Sequence, residues 1–285
     1  MRFDRDAMAK LLKQARDAGA TSIHMKVPGR VSLRIAGQLV PVAKESLLPV
    51  DTRRAVQSLM SLANTEFPLA NLREHEFGVG IVGVGRFRVC VYMQRGSLCA
   101  VIHRLATQVM GLGELGVASS WGDIGAGLTF VGGQRRSELL AAVVDRLNAR
   151  RGGHIVLLED QVQVLHGDRK ASISQREIGI DTDSWESGIR SAMRQAADIL
   201  VIGEVPDPTI AGLVLSAAER GMTVLVGMPG GSPRACIDHF VSLFGEGRAV
   251  EVHQRVAQLL AGSMTLGEEG CCRLDSQELD RAVGC

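Results

Sequence analysis

The sequence predicts an α/β protein of two parts, a small α+β module followed by a doubly wound, largely parallel sheet. Alternating apolar and polar residues dominate roughly the first hundred positions, whereas apolar runs of strand length alternate with helical patterns after residue 127. A glycine-rich stretch, residues 111–127, separates the two patterns. With 285 residues, 46% of them hydrophobic, the chain is long enough to bury two cores. The predicted boundaries are 1–106 for the module, 107–126 for a linker, 127–262 for the sheet domain and 263–285 for a C-terminal tail.

The first module begins with an amphipathic helix over residues Ala7–Ala18, which Gly19 ends. A second helix is capped by Asp51 and runs to about Leu62. The remaining segments alternate as half-buried strands do. The predicted strands are Ser22–Val27, Val31–Ile35, Gln38–Val42, Val79–Gly85, Arg86–Met93 and Ser97–Ile102.

The second part alternates strands with helices, which is the pattern of a doubly wound sheet. Its predicted strands are Leu128–Val131, Ile155–Leu158, Ile199–Ile202 and Thr223–Val226. Its predicted helices are Ser137–Arg150, Trp185–Arg194, Thr209–Arg220, Pro233–Phe244 and about Ala249–Ala261.

Two acids bracket the most apolar of these strands. Asp198 precedes Ile199–Ile202, and Glu204 follows it where the chain turns at a proline-rich stretch. Because ligands of open α/β sheets bind at the carboxyl ends of strands, Glu204 is a candidate functional residue. The alternative is a solvated acid just beyond a core strand.

Composition excludes several classes of function. The 32 Lys and Arg residues balance 31 Asp and Glu, so no basic field favours nucleic acid as a partner. The six cysteines form no CxxC pattern and no cysteine–histidine spacing typical of a metal site. No run approaches the roughly 18 apolar residues of a membrane span, and the first residues do not predict a signal peptide. We therefore expect a cytoplasmic protein with reduced thiols and no metal ligated by side chains alone.

Several short motifs follow one another in a fixed order. They are Gly19–Met25, Gly85–Val89, Gln94–Gly96, Glu159-Asp160, Ser174–Thr182 and Asp198–Glu204. In this order they resemble the type IV pilus twitching-motility and retraction ATPases, the PilT/PilU-like family of the type II/IV secretion ATPase superfamily. One position differs, because Ser22 stands where that family usually has an aspartate.

The resemblance implies a PAS-like N-terminal domain and a RecA-like P-loop NTPase-type domain, with Mg·ATP held between them. It implies that Glu204 is the Walker B glutamate, which positions the magnesium ion and the attacking water, and that Glu159 is the acid of the Asp box. It also implies a hexamer, formed by this chain alone or mixed with a competent retraction ATPase. An inner-membrane platform protein of the pilus would then hold the hexamer peripherally at the membrane.

The phosphate-binding loop departs from the family pattern. A P-loop of the form G-x-x-x-x-G-K-[ST] wraps the phosphates in backbone N–H groups, and its lysine reaches the β and γ oxygens. This chain has only six positions there, without a second glycine in place and without a lysine: Gly132, Gly133, Gln134, Arg135, Arg136 and Ser137. Arg136 is the candidate for the lysine's place, although a guanidinium is not interchangeable with an ammonium.

One further segment and one further residue also depart from the family pattern. The family's His box is replaced by Gly227–Ser232, which contains neither histidine nor asparagine, and Gln161 replaces the proline usual after the Asp-box acids. We therefore predict a pseudo-ATPase that acts as an accessory or regulatory subunit in pilus retraction. The alternatives are an active or nucleotide-binding ATPase with a non-standard loop, and a decayed paralogue without a role.

Three arginines of the first module form a second candidate site. Arg86 and Arg88 alternate with apolar residues on one predicted strand, and Arg104 ends the strand that pairs with it. In the family that this hairpin resembles, arginines of the N-terminal domain reach nucleotide phosphates, some of them across a subunit interface. A solvated basic face is the plainer interpretation.

Overall fold

The computed structural model describes residues 3–105, 109–267 and 270–275. The chain divides into two compact units, Met1–Thr107 and Gln108–Cys285. The first has an antiparallel sheet and the second a largely parallel one, so the predicted fold class is confirmed. In the described part of the chain, no helix is long and apolar enough to cross a membrane.

The first unit packs two helices on one face of a six-stranded sheet. The helices are α1 (Arg5–Asp17) and α2 (Pro49–Ala63). The strands are β1 (Ser22–Met25), β2 (Ser32–Ile35), β3 (Gln38–Pro41), β4 (Glu74–Ile81), β5 (Gly85–Gln94) and β6 (Ser97–Arg104). All neighbours pair antiparallel in the order β3-β2-β1-β6-β5-β4.

Strand alternation decides which face of this sheet is apolar. Ile23 and Met25 of β1, like Phe87 and Val89 of β5, point to the helices and are almost fully buried with Leu12 of α1. Their neighbours along each strand therefore lie on the opposite face, which is the more polar one. That opposite face carries most of the charged side chains of β1, β2, β5 and β6.

The second unit is built on a seven-stranded sheet, ordered β13-β12-β7-β11-β10-β8-β9. Its strands are β7 (Gly127–Gly132), β8 (Gly153–Glu159), β9 (Ala171–Glu177), β10 (Ile199–Ile202), β11 (Thr223–Gly227), β12 (Leu260–Leu266) and β13 (Cys271–Asp275). Its helices are α3 (Arg136–Arg150), α4 (Trp185–Arg194), α5 (Pro208–Glu219), α6 (Pro233–Ser242) and α7 (Ala249–Leu259). Every neighbouring pair is parallel except β12 with β13.

Helices cover both faces of this sheet. Residues of α4, α5, α6 and α7 form one core with it, and residues of α3 form the other. The second core also includes Leu112, Leu115, Val117 and Ile124. Residues 112–124 are therefore part of the folded unit, although the sequence predicted only a linker over residues 107–126.

Three strands were missed from the sequence. β9 is polar because it lies at a sheet edge, so its pattern lacks a continuous apolar run. β12 follows α7 without an intervening residue, so the helix predicted from the sequence extended too far, to about Ala261. The prediction of a tail from residue 263 is therefore wrong for Ser263–Leu266 and for Cys271–Asp275. Residues 276–285 lie outside the described residues.

Candidate site at the carboxyl edge of the parallel sheet

The carboxyl ends of β8 and β10 and the start of α3 surround one cavity of about 160 Å³. Leu158 and Ile202 are in register, so Glu159 and Gly203 leave the sheet side by side. The Glu159 side chain lies over Gly203, with its Cγ 3.5 Å from where a Cβ would stand. Glu204, Arg136 and Ser137 line the same cavity. The cavity thus brings together four of the site residues predicted from the sequence: Arg136, Ser137, Glu159 and Glu204.

The segment that replaces the phosphate loop is held by other parts of the chain. The N–H of Gly133 donates to the Gly230 carbonyl at 2.8 Å, and the N–H of Arg135 donates to the Leu266 carbonyl at 3.1 Å. The N–H of Arg136 turns back to the Gly133 carbonyl at 3.2 Å. A phosphate group therefore meets none of these three N–H groups as a donor in this arrangement.

Close packing fixes the same loop. A side chain at Gly132 would overlap the Cys236 sulfur, and one at Gly133 would overlap the Leu266 carbonyl oxygen. Gly133 also has a φ of 93°, a conformation that L residues rarely adopt. The loop is therefore a packed turn between β7 and α3.

Charged groups of both signs line the cavity. The Arg136 guanidinium lies 3.5 Å from the Glu204 carboxylate. The charged groups lining the cavity in the described structure are that arginine and three acids: Glu159, Asp160 and Glu204. These residues, as arranged, do not fit the phosphates of Mg·ATP, because the loop offers too few free N–H donors and has no lysine to reach the β and γ oxygens. Among the residues with described positions, no group of three His, Cys, Asp or Glu could hold a metal ion by itself.

Polar residues of β9 hold Glu159 and the segment after β8 in place, a role that the sequence did not predict. The Gln175 amide donates to Glu159 Oε2 at 2.6 Å and to the Val164 carbonyl at 2.8 Å. Glu177, which is 7% exposed, accepts from the Val162 N–H at 2.9 Å. Together they fasten the segment after β8 to the edge strand. The signal available in the sequence was a run of polar residues in an otherwise extended segment.

His166 closes the cavity on this side. Burial lowers the pKa of His166, Asp145 opposes this shift, and Arg169 adds to it. The ring therefore favours its neutral form, and it adds no positive charge to the cavity at neutral pH.

The other predicted site residues lie elsewhere. Gln134 lines a separate groove beside Thr265 and Cys271, and the Arg135 guanidinium pairs with the Glu138 carboxylate. Asp198, at the opposite end of β10, accepts from the His154 N–H at 2.7 Å and thus has a structural contact.

The three arginines of the first unit do not share a face. Arg104 is directly opposite Phe87 in the β5–β6 pair, so it points to the side of the helices. Arg86 and Arg88 alternate with Phe87 and point to the other side. Arg88 is 7% exposed, whereas Arg104 is an exposed side chain. The grouping of Arg104 with the other two, expected from the sequence, is wrong.

Comparison with known proteins identifies relatives of both units. The type II/IV secretion system protein family matches residues 128–260. The type IV pilus ATPase PilU of Pseudomonas aeruginosa is 29% identical over 249 residues, which is 85% of this chain and 65% of PilU. The retraction ATPase PilT of the same organism is 29% identical over 245 residues, 83% of this chain and 70% of PilT. The chain thus spans about two thirds of the length of these relatives.

Solved structures agree with these matches. The pilus retraction motor PilT with bound ADP superposes with a TM-score of 0.82 at 28% identity, over 90% of this chain and 76% of that one. The ATPase DotB of Legionella pneumophila has a TM-score of 0.81 at 15% identity, over 100% of this chain and 85% of that one, which shows the shared two-domain fold. In sequence and in fold the chain is therefore PilT/PilU-like and resembles the type II/IV secretion ATPases.

Proposed function

We propose that this chain is an accessory subunit in type IV pilus retraction that does not hydrolyse ATP itself. It works in the cytoplasm at the inner membrane, beside the pilus platform protein, in a hexamer that contains a competent retraction ATPase. The observation that carries the proposal is the loop between β7 and α3, whose N–H groups at Gly133 and Arg135 are taken by the carbonyls of Gly230 and Leu266.

The magnitude of the expected loss supports an inactive site. Removing one preorganised donor to developing charge typically costs roughly 10²–10³ in rate. In this chain the wrapping N–H groups, the lysine and the residues of the His box are altered together. Such losses need not add, but any one of them would already disable a slow motor.

Titration calorimetry of the purified chain with Mg·ATP and Mg·ADP at physiological salt tests the proposal. We expect calorimetry to show no binding in the micromolar range. We also expect no steady-state hydrolysis in an ATPase assay. The nucleotides should not raise the melting temperature, since only a ligand that binds the native state raises it. Hydrolysis that grows with protein concentration and disappears in Glu204→Gln would show that the chain is a working ATPase.

One observation favours the second candidate function, a nucleotide-binding ATPase with a non-standard loop. Gln175 and the segment after β8 keep Glu159 in the cavity beside Glu204, as a site in use would require. A Gln175→Ala variant separates the two readings. If the carboxylates serve nucleotide, the variant weakens Mg·ADP binding; if they are scaffold, it changes only stability.

A further inference from the structure

The outer edge of β3 is apolar and unpaired. β3 ends the sheet of the first unit, and no strand in the described part of the chain pairs with its outer side. Of the ten large apolar residues that are exposed in the described structure, five lie between positions 39 and 50. They are Leu39, Val40, Val42, Leu48 and Val50. Because natural sheets usually protect an exposed edge, an edge of this composition indicates a contact surface.

Strand register shows which backbone groups of β3 face outward. The N–H of Val42, just after the strand, donates to the carbonyl of Val31, just before β2, at 2.9 Å. Hydrogen-bonded pairs alternate along an antiparallel ladder, so the backbone groups of Leu39 and Pro41 point away from β2. Proline has no N–H. Within β3, whose four residues are all described, Leu39 alone therefore offers both an N–H and a carbonyl at the outer edge.

This pattern fits a second copy of the chain better than a foreign strand. If two β3 strands meet antiparallel about a two-fold axis, Leu39 faces Leu39 of the second copy and the pair exchanges two hydrogen bonds. Pro41 then lies opposite Gly37 of the second copy. The N–H that proline lacks is not needed there, because the Gly37 carbonyl already accepts from the Arg34 guanidinium at 2.8 Å. A foreign strand would leave a carbonyl without a donor at that place.

Apolar side chains flank this edge on both faces of the sheet. Val40 lies opposite buried Leu33 and therefore shares the face of α1 and α2. Beyond it along the chain, Val42 and Leu47 line a groove of about 420 Å³. Leu39 lies on the other face, 48% exposed. A two-fold axis perpendicular to the sheet keeps the helices of both copies on one side, so apolar surface continues across the contact on each face.

We propose that β3 pairs with β3 of a second copy of this chain and joins two six-stranded sheets into one. The contact goes beyond the proposed function, because it needs neither the cavity at Glu204 nor a competent retraction ATPase. The paired strands are short and exchange only two central hydrogen bonds. We therefore expect a weak, reversible contact with a dissociation constant on the order of 100 μM.

Leu39→Pro provides the sharpest test. It removes the outward N–H, and an edge strand tolerates proline where that N–H has no partner in the sheet. In sedimentation velocity over a concentration series, we expect wild type and Leu39→Val, which keeps the N–H, to associate alike. Leu39→Pro should associate at least roughly tenfold more weakly, and Leu39→Lys should also be weaker. Val250→Lys adds the same charge to a residue of α7 that is 73% exposed, and it should not differ from wild type.

Disulfide trapping identifies the register independently of these variants. In the pairing through Leu39, Gln38 lies opposite Val40 of the second copy at a Cα separation of about 4.5 Å, which a disulfide can span. A mixture of Gln38→Cys and Val40→Cys chains, oxidised with oxidised glutathione, should form a disulfide between these two positions. Mass spectrometry detects it in residues 35–44, a tryptic segment without a native cysteine. Either variant alone should give little, because its cysteines lie two residues out of register.

Monomeric protein at about 1 mM, association that Leu39→Pro leaves unchanged, or absence of the disulfide between positions 38 and 40 would overturn the proposal. An effect of Leu39→Pro on binding to a retraction ATPase alone would assign the edge to that partner and overturn it as well. A mixed hexamer that forms equally well with Leu39→Pro would support a contact separate from the ring. The proposed function and this inference can therefore fail separately.

Discussion

Arg136 and Glu204 form an ion pair across the cavity, but backbone contacts decide what the cavity accepts. The two side chains are 29% and 53% exposed, and ion pairs at such sites contribute roughly 0–1 kcal/mol. An incoming phosphate could displace so weak a pair. It could not free the N–H groups of Gly133 and Arg135 without unpacking the turn, because each already has a carbonyl partner.

Gly133 gives a direct test of that packed turn. Gly133→Ala should lower the free energy of unfolding by at least about 2 kcal/mol. The added Cβ would overlap the Leu266 carbonyl, and the alanine would have to keep a positive φ that L residues rarely adopt. Gly231→Ala is the matched control, since a Cβ there meets nothing within 4 Å. Urea unfolding followed by circular dichroism measures both. Equal stability of the two variants would mean that the turn is not packed as described.

The cysteines should separate into two classes of reactivity. Burial raises the pKa of Cys236 to about 11, an effect that Arg136 partly opposes. At about pH 8 its thiolate fraction is then on the order of one in a thousand. We expect Cys271 and Cys272, which are exposed, to be alkylated rapidly, and Cys99 and Cys236 to be alkylated only in denaturant. Mass spectrometry of quenched time points measures this, and early alkylation of Cys236 would contradict it.

At the scale of elements, β12 connects β13 with the segment that replaces the phosphate loop. The strand pairs with β7 on one side and β13 on the other, and the carbonyl of its last residue, Leu266, holds the Arg135 N–H. Contacts from β13 anchor it further, because the Arg273 guanidinium donates to the Ser120 carbonyl at 3.1 Å. The hairpin of β12 and β13 is thus part of the site's framework.

Truncation of a β12 side chain measures this contribution. Met264 is fully buried against α3, so Met264→Ala should cost about 2–5 kcal/mol of stability. Met110, which is 43% exposed, is a control of the same residue type, and Met110→Ala should change stability by about 0.5 kcal/mol or less. If the two variants melt at the same temperature, β12 is not part of the core.

Burial explains which elements were predictable from the sequence. β7, β8, β10 and β11 are covered on both faces, so their apolar runs identify them. β12 is also largely buried between two strands, but its glycine and serine interrupt the apolar run, and β9 carries the polar side chains of an edge strand. At the site, Glu204 and Glu159 were identified by their place after strands and by resemblance. Gln175 was not, because only strand register shows that it faces Glu159.

At the scale of the whole molecule, the proposed role requires a competent neighbour. A subunit without its own phosphate loop can still contribute to turnover by donating positive charge to a phosphate held by another subunit. Arg86 is a better candidate than Arg88, since it is only partly buried. Its guanidinium lies over Gly78, with Nη2 3.6 Å from the position that a Cβ would occupy on that glycine. Arg88 is too buried for its loss to be interpreted without a stability control.

Mixed assemblies test this role. We expect the chain to co-purify with a related retraction ATPase, and Arg86→Ala to reduce turnover of the mixed assembly by at least roughly tenfold at fixed motor concentration. Arg104→Ala removes the same charge from the opposite face of the sheet and should leave turnover unchanged. Failure to co-purify, or equal effects of the two substitutions, would exclude donation from this face.

The position of β7 between β11 and β12 has a consequence during synthesis. β7 leaves the ribosome well before either neighbour, since Leu128 pairs with Leu260 about 130 residues later. At roughly 5–20 residues per second, both edges of this largely apolar strand lack their partners for several seconds or more. Such edges are templates for pairing with other chains, so nascent copies that emerge close together on one messenger are at risk of joining through β7. Slower translation after residue 227 would lengthen this exposure, and yield in cells should therefore depend on the codons between β11 and β12.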